Sequence, residues 1–137
     1  MYTVSVRRHF DAAHALRGYQ GKCERLHGHR FEVVVSVQRA QLDEVGLSLD
    51  YGTIKQELDA VLAALDHTNL NELAPFTTLN PSSEHIAAYI YDRLSARWGE
   101  SLSQVQVFES PDAWVTYTPD HSAMPLEAEE FDGQANQ

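Results

Sequence analysis

The sequence predicts an α+β fold: a four-stranded antiparallel sheet covered on one face by two helices, in the order ββααββ. Three observations carry this. Two stretches near the N-terminus alternate polar and apolar residues, two central stretches space their apolar residues as a helix does, and a second alternating pair follows. Helices and strands segregated into blocks favour helices on one side of an antiparallel sheet over alternating parallel units.

The first strand is expected over Tyr2 to His9, with Tyr2, Val4 and Val6 on one side. The second is carried by Phe31, Val33, Val35 and Val37. Between them, Asp11 to Arg30 holds three glycines, Cys23 and three histidines, a composition that reads as a functional loop. Asp50 is a fitting N-cap for a helix over Tyr51 to Leu65, whose stripe is Ile54, Leu58, Val61, Leu62 and Leu65. Pro81, Ser82 and Ser83 start a second helix, Ile86, Ile90 and Leu94 give its apolar stripe, and Gly99 stops it. Val105 and Val107 then alternate with Gln104 and Gln106. The turn residues Pro111 and Asp112 lead into a hairpin partner over Trp114 to Thr118. Residues 119–137 contain five acids and no Lys or Arg, and read as a mobile acidic tail after a single domain over 1–118.

At 137 residues, with 43% apolar residues, the chain can bury roughly two thirds of its unfolded surface and needs no disulfide, and a single cysteine can form none internally. A reducing, cytoplasmic setting fits that, and no apolar run suggests a signal peptide or membrane span. A net charge of −10 argues against nucleic acid as a partner. The charge is unevenly spread: residues 1–39 hold seven bases against three acids. Such a local positive field in an acidic protein suits a small anionic ligand. Four strands also leave two open edges, which invite pairing between subunits.

His27-Gly28-His29 leads into the second strand. If the strand begins near His27, both imidazoles share a face about 7 Å apart and can converge on one ion. His14 offers a third nitrogen, with His9 as its competitor. Three neutral imidazoles with an open fourth position make a catalytic zinc site, whereas structural zinc is usually closed by four ligands. Cys23 lies four residues before His27 and close to Lys22 and Arg25. Positive surroundings of that kind lower a thiol's pKa and make a thiolate available as a base.

Cys23-x-x-x-His27-Gly28-His29, preceded by Phe10-x-Ala12-Ala13-His14, resembles the 6-pyruvoyl-tetrahydropterin synthase and 6-carboxytetrahydropterin synthase family. Further matches follow in order: Leu65-Asp66-His67 with Leu70-Asn71, then Asn80-Pro81-Ser82-Ser83-Glu84, then Val107-Phe108-Glu109. Together they run from about residue 2 to residue 118. The three-residue gap between the cysteine and His-Gly-His resembles the 6-carboxytetrahydropterin branch of queuosine (7-deazaguanine) biosynthesis. Cys23 itself separates the chain from a folate-pathway branch with Glu at that place.

The resemblance implies a tunnelling fold, in which sheets of several subunits form a barrel, with a hexamer as the expected assembly. It implies a lyase acting on a pterin triphosphate, with Zn2+ on His14, His27 and His29. It also implies Cys23 as the proton-abstracting base, and His67 with Asp66 as its relay. Glu109 would anchor the pterin, because a carboxylate accepts two parallel hydrogen bonds from the N3 and 2-amino edge. Ser82 and Ser83 would either touch the pterin or cap the second helix, and Lys22 and Arg25 are the bases best placed for triphosphate. The alternatives left open are the 6-pyruvoyl synthase, which keeps the three-carbon side chain, and a non-catalytic zinc-organised pterin-binding module.

Overall fold

The computed structural model of the protein describes residues 1–21 and 24–120, so Lys22, Cys23 and residues 121–137 lie outside the described residues. In chain order the elements are β1 (Tyr2–His14), β2 (His27–Arg39), α1 (Tyr51–Leu62), β3 (Thr68–Asn69), α2 (Ser83–Trp98), β4 (Leu102–Ser110) and β5 (Ala113–Tyr117). The sheet order is β3-β1-β2-β4-β5. All pairs are antiparallel except β1 with β3, which is parallel.

Alternation along the strands builds the core. Val6, Phe10 and Ala12 of β1, Phe31, Val33, Val35 and Val37 of β2, and Val105 and Val107 of β4 are buried on one sheet face. Ile54, Leu58 and Leu62 of α1 and Ile86, Ile90 and Leu94 of α2 pack onto them, at the helical spacing expected. Phe10 and Phe31 stack with ring centroids 5.0 Å apart. The opposite sheet face carries Ser5, Arg7, His9 and Glu32, which are polar and either exposed or partly so. Both helix starts follow the sequence reading. Asp50 accepts the Gly52 N–H through its side chain, and Ser82 accepts that of His85.

Three expectations need correction. The first strand continues past His9 to His14, and the second begins at His27, so much of the expected loop is strand. Their register pairs Tyr2 with Arg39 and His14 with His27. The first helix ends at Leu62 rather than Leu65. Tighter turns follow, in which Leu65 stays buried, and they carry the chain to His67, whose N–H donates to the Asp11 carbonyl at 2.6 Å. The sheet therefore has five strands and is mixed, because Thr68 and Asn69 then pair in parallel with Ala12 and Ala13. Two residues carry no periodicity, so β3 leaves no trace in the hydrophobic pattern. β3 covers only the end of β1, and β5 is the opposite edge.

Candidate metal centre

The register of β1 on β2 brings the site together. His14 faces His27 directly and Ala12 faces His29, so the three histidines lie on the core side of two adjacent strands. Their ring centroids are 4.7 Å apart for His14 and His27, 5.2 Å for His14 and His29, and 4.6 Å for His27 and His29. The last is well under the rise across two strand residues, so these rings lean together. The fully buried Phe31 meets His14 and His29 edge to face and forms an apolar floor. His9, the competitor, sits on the exposed sheet face away from this cluster.

Hydrogen bonds fix the tautomers of two rings. His14 Nδ1 lies 2.7 Å from the Pro81 carbonyl, and His27 Nδ1 lies 2.6 Å from that of Arg25. A carbonyl only accepts, so each Nδ1 carries the proton and each Nε2 keeps a free lone pair. Nε2 of His14 and Nε2 of His29 are buried without a hydrogen-bond partner. Burying such a nitrogen is costly unless something binds it. Burial pushes the His29 imidazole below its ordinary pKa; Glu109 opposes that shift, and the two neighbouring rings reinforce it. A neutral ring of this kind is able to ligate a metal.

Glu109 completes the cluster. Phe108 pairs with Trp114 and Ser110 with Ala113, so Glu109 is the extra residue of a bulge, a feature that re-aims a side chain. Its Oε1 accepts from the Ser83 hydroxyl at 3.0 Å. Its Oε2 lies 3.2 Å from His29 Nε2 and 3.6 Å from His14 Nε2, contacts too long or too poorly aligned for hydrogen bonds. One donor atom from each of His14, His27, His29 and Glu109 falls within 4.8 Å of the others. Orphaned imidazole nitrogens fit a borderline-soft divalent metal, whereas calcium and magnesium take oxygen ligands.

Asp66 and His67 form a second corner. His67 Nδ1 lies 3.0 Å from Asp66 Oδ2, and Asp66 Oδ1 accepts the Asp11 N–H at 2.9 Å. That backbone bond, aided by His67, holds the Asp66 carboxyl below its ordinary pKa. His67 is 79% exposed and adopts φ 59°, in the left-handed region. It shares with His29, Arg30 and Asp11 the wall of an open depression of about 420 Å³.

The sequence-predicted residues thus separate into groups. His14, His27, His29 and Glu109 come together, and Asp66 touches His67. Ser82 caps α2 while Ser83 holds Glu109, and Arg25 is exposed and contributes its carbonyl. Cys23 and Lys22 lie outside the described residues. Sequence reasoning did not anticipate the carbonyls of Pro81 and Arg25, because any residue type supplies a carbonyl. It also did not place Glu109 beside the histidines, because the bulge that aims it depends on strand pairing.

Residues 3–120 match the family model described as 6-pyruvoyl tetrahydropterin synthase. The 6-carboxy-5,6,7,8-tetrahydropterin synthase of Synechocystis sp. is 36% identical over 122 residues, covering 85% of this chain and 93% of that protein. The dihydroneopterin monophosphate aldolase of Pyrococcus furiosus is 38% identical over 91 residues, covering 66% of this chain and 73% of that protein. Among solved structures, Caenorhabditis elegans 6-pyruvoyl tetrahydropterin synthase superposes with a TM-score of 0.75 at 29% identity, covering 88% of this chain and 98% of that one.

Replacing His14, His27 or His29 singly by Ala is expected to abolish retention of added zinc through dialysis, read by elemental analysis, while His9→Ala retains it. Protons compete with metal for imidazole. The lowered His29 pKa keeps that ring neutral, and open to metal, to more acidic pH than an ordinary histidine, so bound metal is expected to persist at pH 7 and to be released on acidification. Zinc retention by any triad variant, or release already complete at pH 7, would contradict the assignment.

Proposed function

The chain belongs to the 6-pyruvoyl tetrahydropterin synthase family, and from that premise we propose that it is a zinc-dependent 6-carboxy-5,6,7,8-tetrahydropterin synthase. The reaction is a lyase step: 7,8-dihydroneopterin triphosphate and water give 6-carboxytetrahydropterin, acetaldehyde and triphosphate, for queuosine (7-deazaguanine) biosynthesis. The observation that carries the reading is the histidine triad, with two Nδ1 atoms bonded to carbonyls and the Nε2 atoms of His14 and His29 buried and unpartnered. The spacing Cys23-x-x-x-His27-Gly28-His29 and the Synechocystis relative support the carboxy branch.

His14, His27 and His29 would hold the zinc. When bound, it supplies Lewis acidity toward the hydroxyls of the substrate side chain, which makes the adjoining carbon more acidic. Cys23 takes the proton as thiolate, favoured by Lys22 and Arg25 as sequence neighbours. His67 would relay the proton, with its ring held by Asp66 and Asp66 held by the backbone of β1. The Glu109 carboxylate, oriented by Ser83, receives the N3 and 2-amino edge of the pterin, while Ser82 keeps its capping task. Lys22 and Arg25 attract the triphosphate.

The assembly belongs to the same proposal. The edge of β1 from Tyr2 to Asp11 has no strand beside it among the described residues, and β5 is open on its far side. Edges this long favour pairing with further copies of the chain, and a homohexamer in the cytoplasm is the form proposed. Among the described residues no helix is long and apolar enough to cross a membrane.

Zinc-loaded protein given dihydroneopterin triphosphate is expected to release acetaldehyde and carboxytetrahydropterin, identified by mass spectrometry. Substrate loss to 6-pyruvoyltetrahydropterin without acetaldehyde would instead indicate the pyruvoyl synthase, and 6-hydroxymethyldihydropterin with glycolaldehyde triphosphate would indicate an aldolase. Cys23→Ala is expected to lower kcat by about 10²- to 10⁴-fold with zinc still bound. Parent-like turnover would remove the thiolate base from the account. Light scattering is expected to give about six times the 15.4 kDa chain mass, and a monomer would refute the hexamer.

A further inference from the structure

Two asparagines from the sequence motifs, Asn71 and Asn80, have no part in the chemistry above, yet both turn their side-chain amides onto one stretch of backbone. Asn71 Oδ1 accepts the Ala15 N–H at 2.8 Å, and its Nδ2 donates to the Ala15 carbonyl at 3.0 Å. Asn80 repeats the arrangement two residues along: Oδ1 accepts the Arg17 N–H at 2.9 Å, and Nδ2 donates to the Arg17 carbonyl at 2.9 Å. An amide that offers one acceptor and one donor to the N–H and C=O of a single residue copies the exchange between paired strand residues. The pairing of β1 is thereby continued past His14, with side chains in place of a neighbouring strand.

Both asparagines are themselves held at the backbone. The Asn71 N–H donates to Asn69 Oδ1 at 3.1 Å, and the Asn80 carbonyl accepts from His85 Nδ1 at 2.7 Å. Arg17 closes back on the same loop, donating through Nη1 to Asn80 Oδ1 at 3.2 Å and through Nη2 to the Phe76 carbonyl.

The clasp brackets His14. Ala15, held by Asn71, follows His14 directly in the chain. Pro81, whose carbonyl accepts from His14 Nδ1, follows Asn80 directly. His14, the chain to Arg17, the Asn80 amide and the Pro81 carbonyl therefore form a closed ring of covalent and hydrogen bonds around an imidazole that is 1% exposed. Loosening Asn80 frees the carbonyl that sets the His14 tautomer, and loosening Asn71 frees the backbone from which the ring projects.

We infer that Asn71 and Asn80 are positioning residues of the metal centre, holding His14 with its proton on Nδ1 and its Nε2 presented to the ion. The inference rests on the reading of the histidine cluster as a zinc site. A brace that only fastened the loop would cost stability and leave metal binding alone, so the two roles separate by measurement.

The test compares full-length parent, Asn71→Ala, Asn80→Ala and a stability control, Asp50→Ala, which removes the cap of α1 far along the chain from the site. Zinc affinity is read by chelator competition and ligand geometry by the visible spectrum of the cobalt-loaded protein. Both asparagine variants are expected to bind zinc about 10- to 100-fold more weakly, with an altered cobalt band, as loss of groups that orient metal ligands does. Asp50→Ala, with a lowered Tm, is expected to keep the parent's affinity and spectrum. Should one asparagine variant fail to fold, the other decides. Parent-like affinity and spectrum in the folded asparagine variants overturn the inference and leave the zinc reading intact. A parent that takes up neither zinc nor cobalt overturns both.

Discussion

A slip of one residue between β1 and β2 would turn a whole strand's side chains to the other sheet face, and the site depends on that register more than on any single bond. The alternation that buries Phe31, Val33, Val35 and Val37 places His29 and His27 on the same face at the start of β2. The alternation that buries Val6, Phe10 and Ala12 places His14 opposite them. The core and the candidate metal centre are two ends of one pattern. The apolar burial that fixes the fold also presents the imidazoles, with Phe31 as their dry floor.

Around that centre the protein accepts local costs. Two imidazole nitrogens are buried without a partner. His67 stands in a left-handed backbone conformation, which costs about 1–3 kcal/mol at a non-glycine residue. It is held there by its N–H to the Asp11 carbonyl and by the Asp66 contact to the same strand residue. Glu109 leaves the regular ladder at a bulge. Each departure brings a titratable group toward the same end of the sheet. Such departures are where local rules are expected to give way to a site.

Much of this was legible in the sequence, and what was not has a physical reason. Alternation located the strands, the spacing of Ile86, Ile90 and Leu94 located α2, and Asp50 and Ser82 announced helix starts, because periodicity and capping are local. His-x-His gave two of the rings once β2 was taken to begin near His27, and the family resemblance chose His14 over His9 as the third. The end of β1 was missed because Ala12 and His14 look like loop chemistry until their register is known. β3 was missed because two residues have no period. The carbonyls of Pro81 and Arg25, the asparagine clasp and the placement of Glu109 all arise between segments far apart in the chain, where a single sequence has no local signal. Cys23, prominent in the sequence, lies outside the described residues, so its place beside the triad rests on the family motif alone.

The central claim is that three imidazoles gather one zinc ion through their Nε2 atoms. Zinc K-edge X-ray absorption on the zinc-loaded protein tests it most directly. The account predicts a first shell with three imidazole nitrogens at about 2.0–2.1 Å and oxygen in the remaining position. A sulfur scatterer at about 2.3 Å, or fewer than three imidazoles, would contradict it, since either would take Cys23 from its role as base or a histidine from the site.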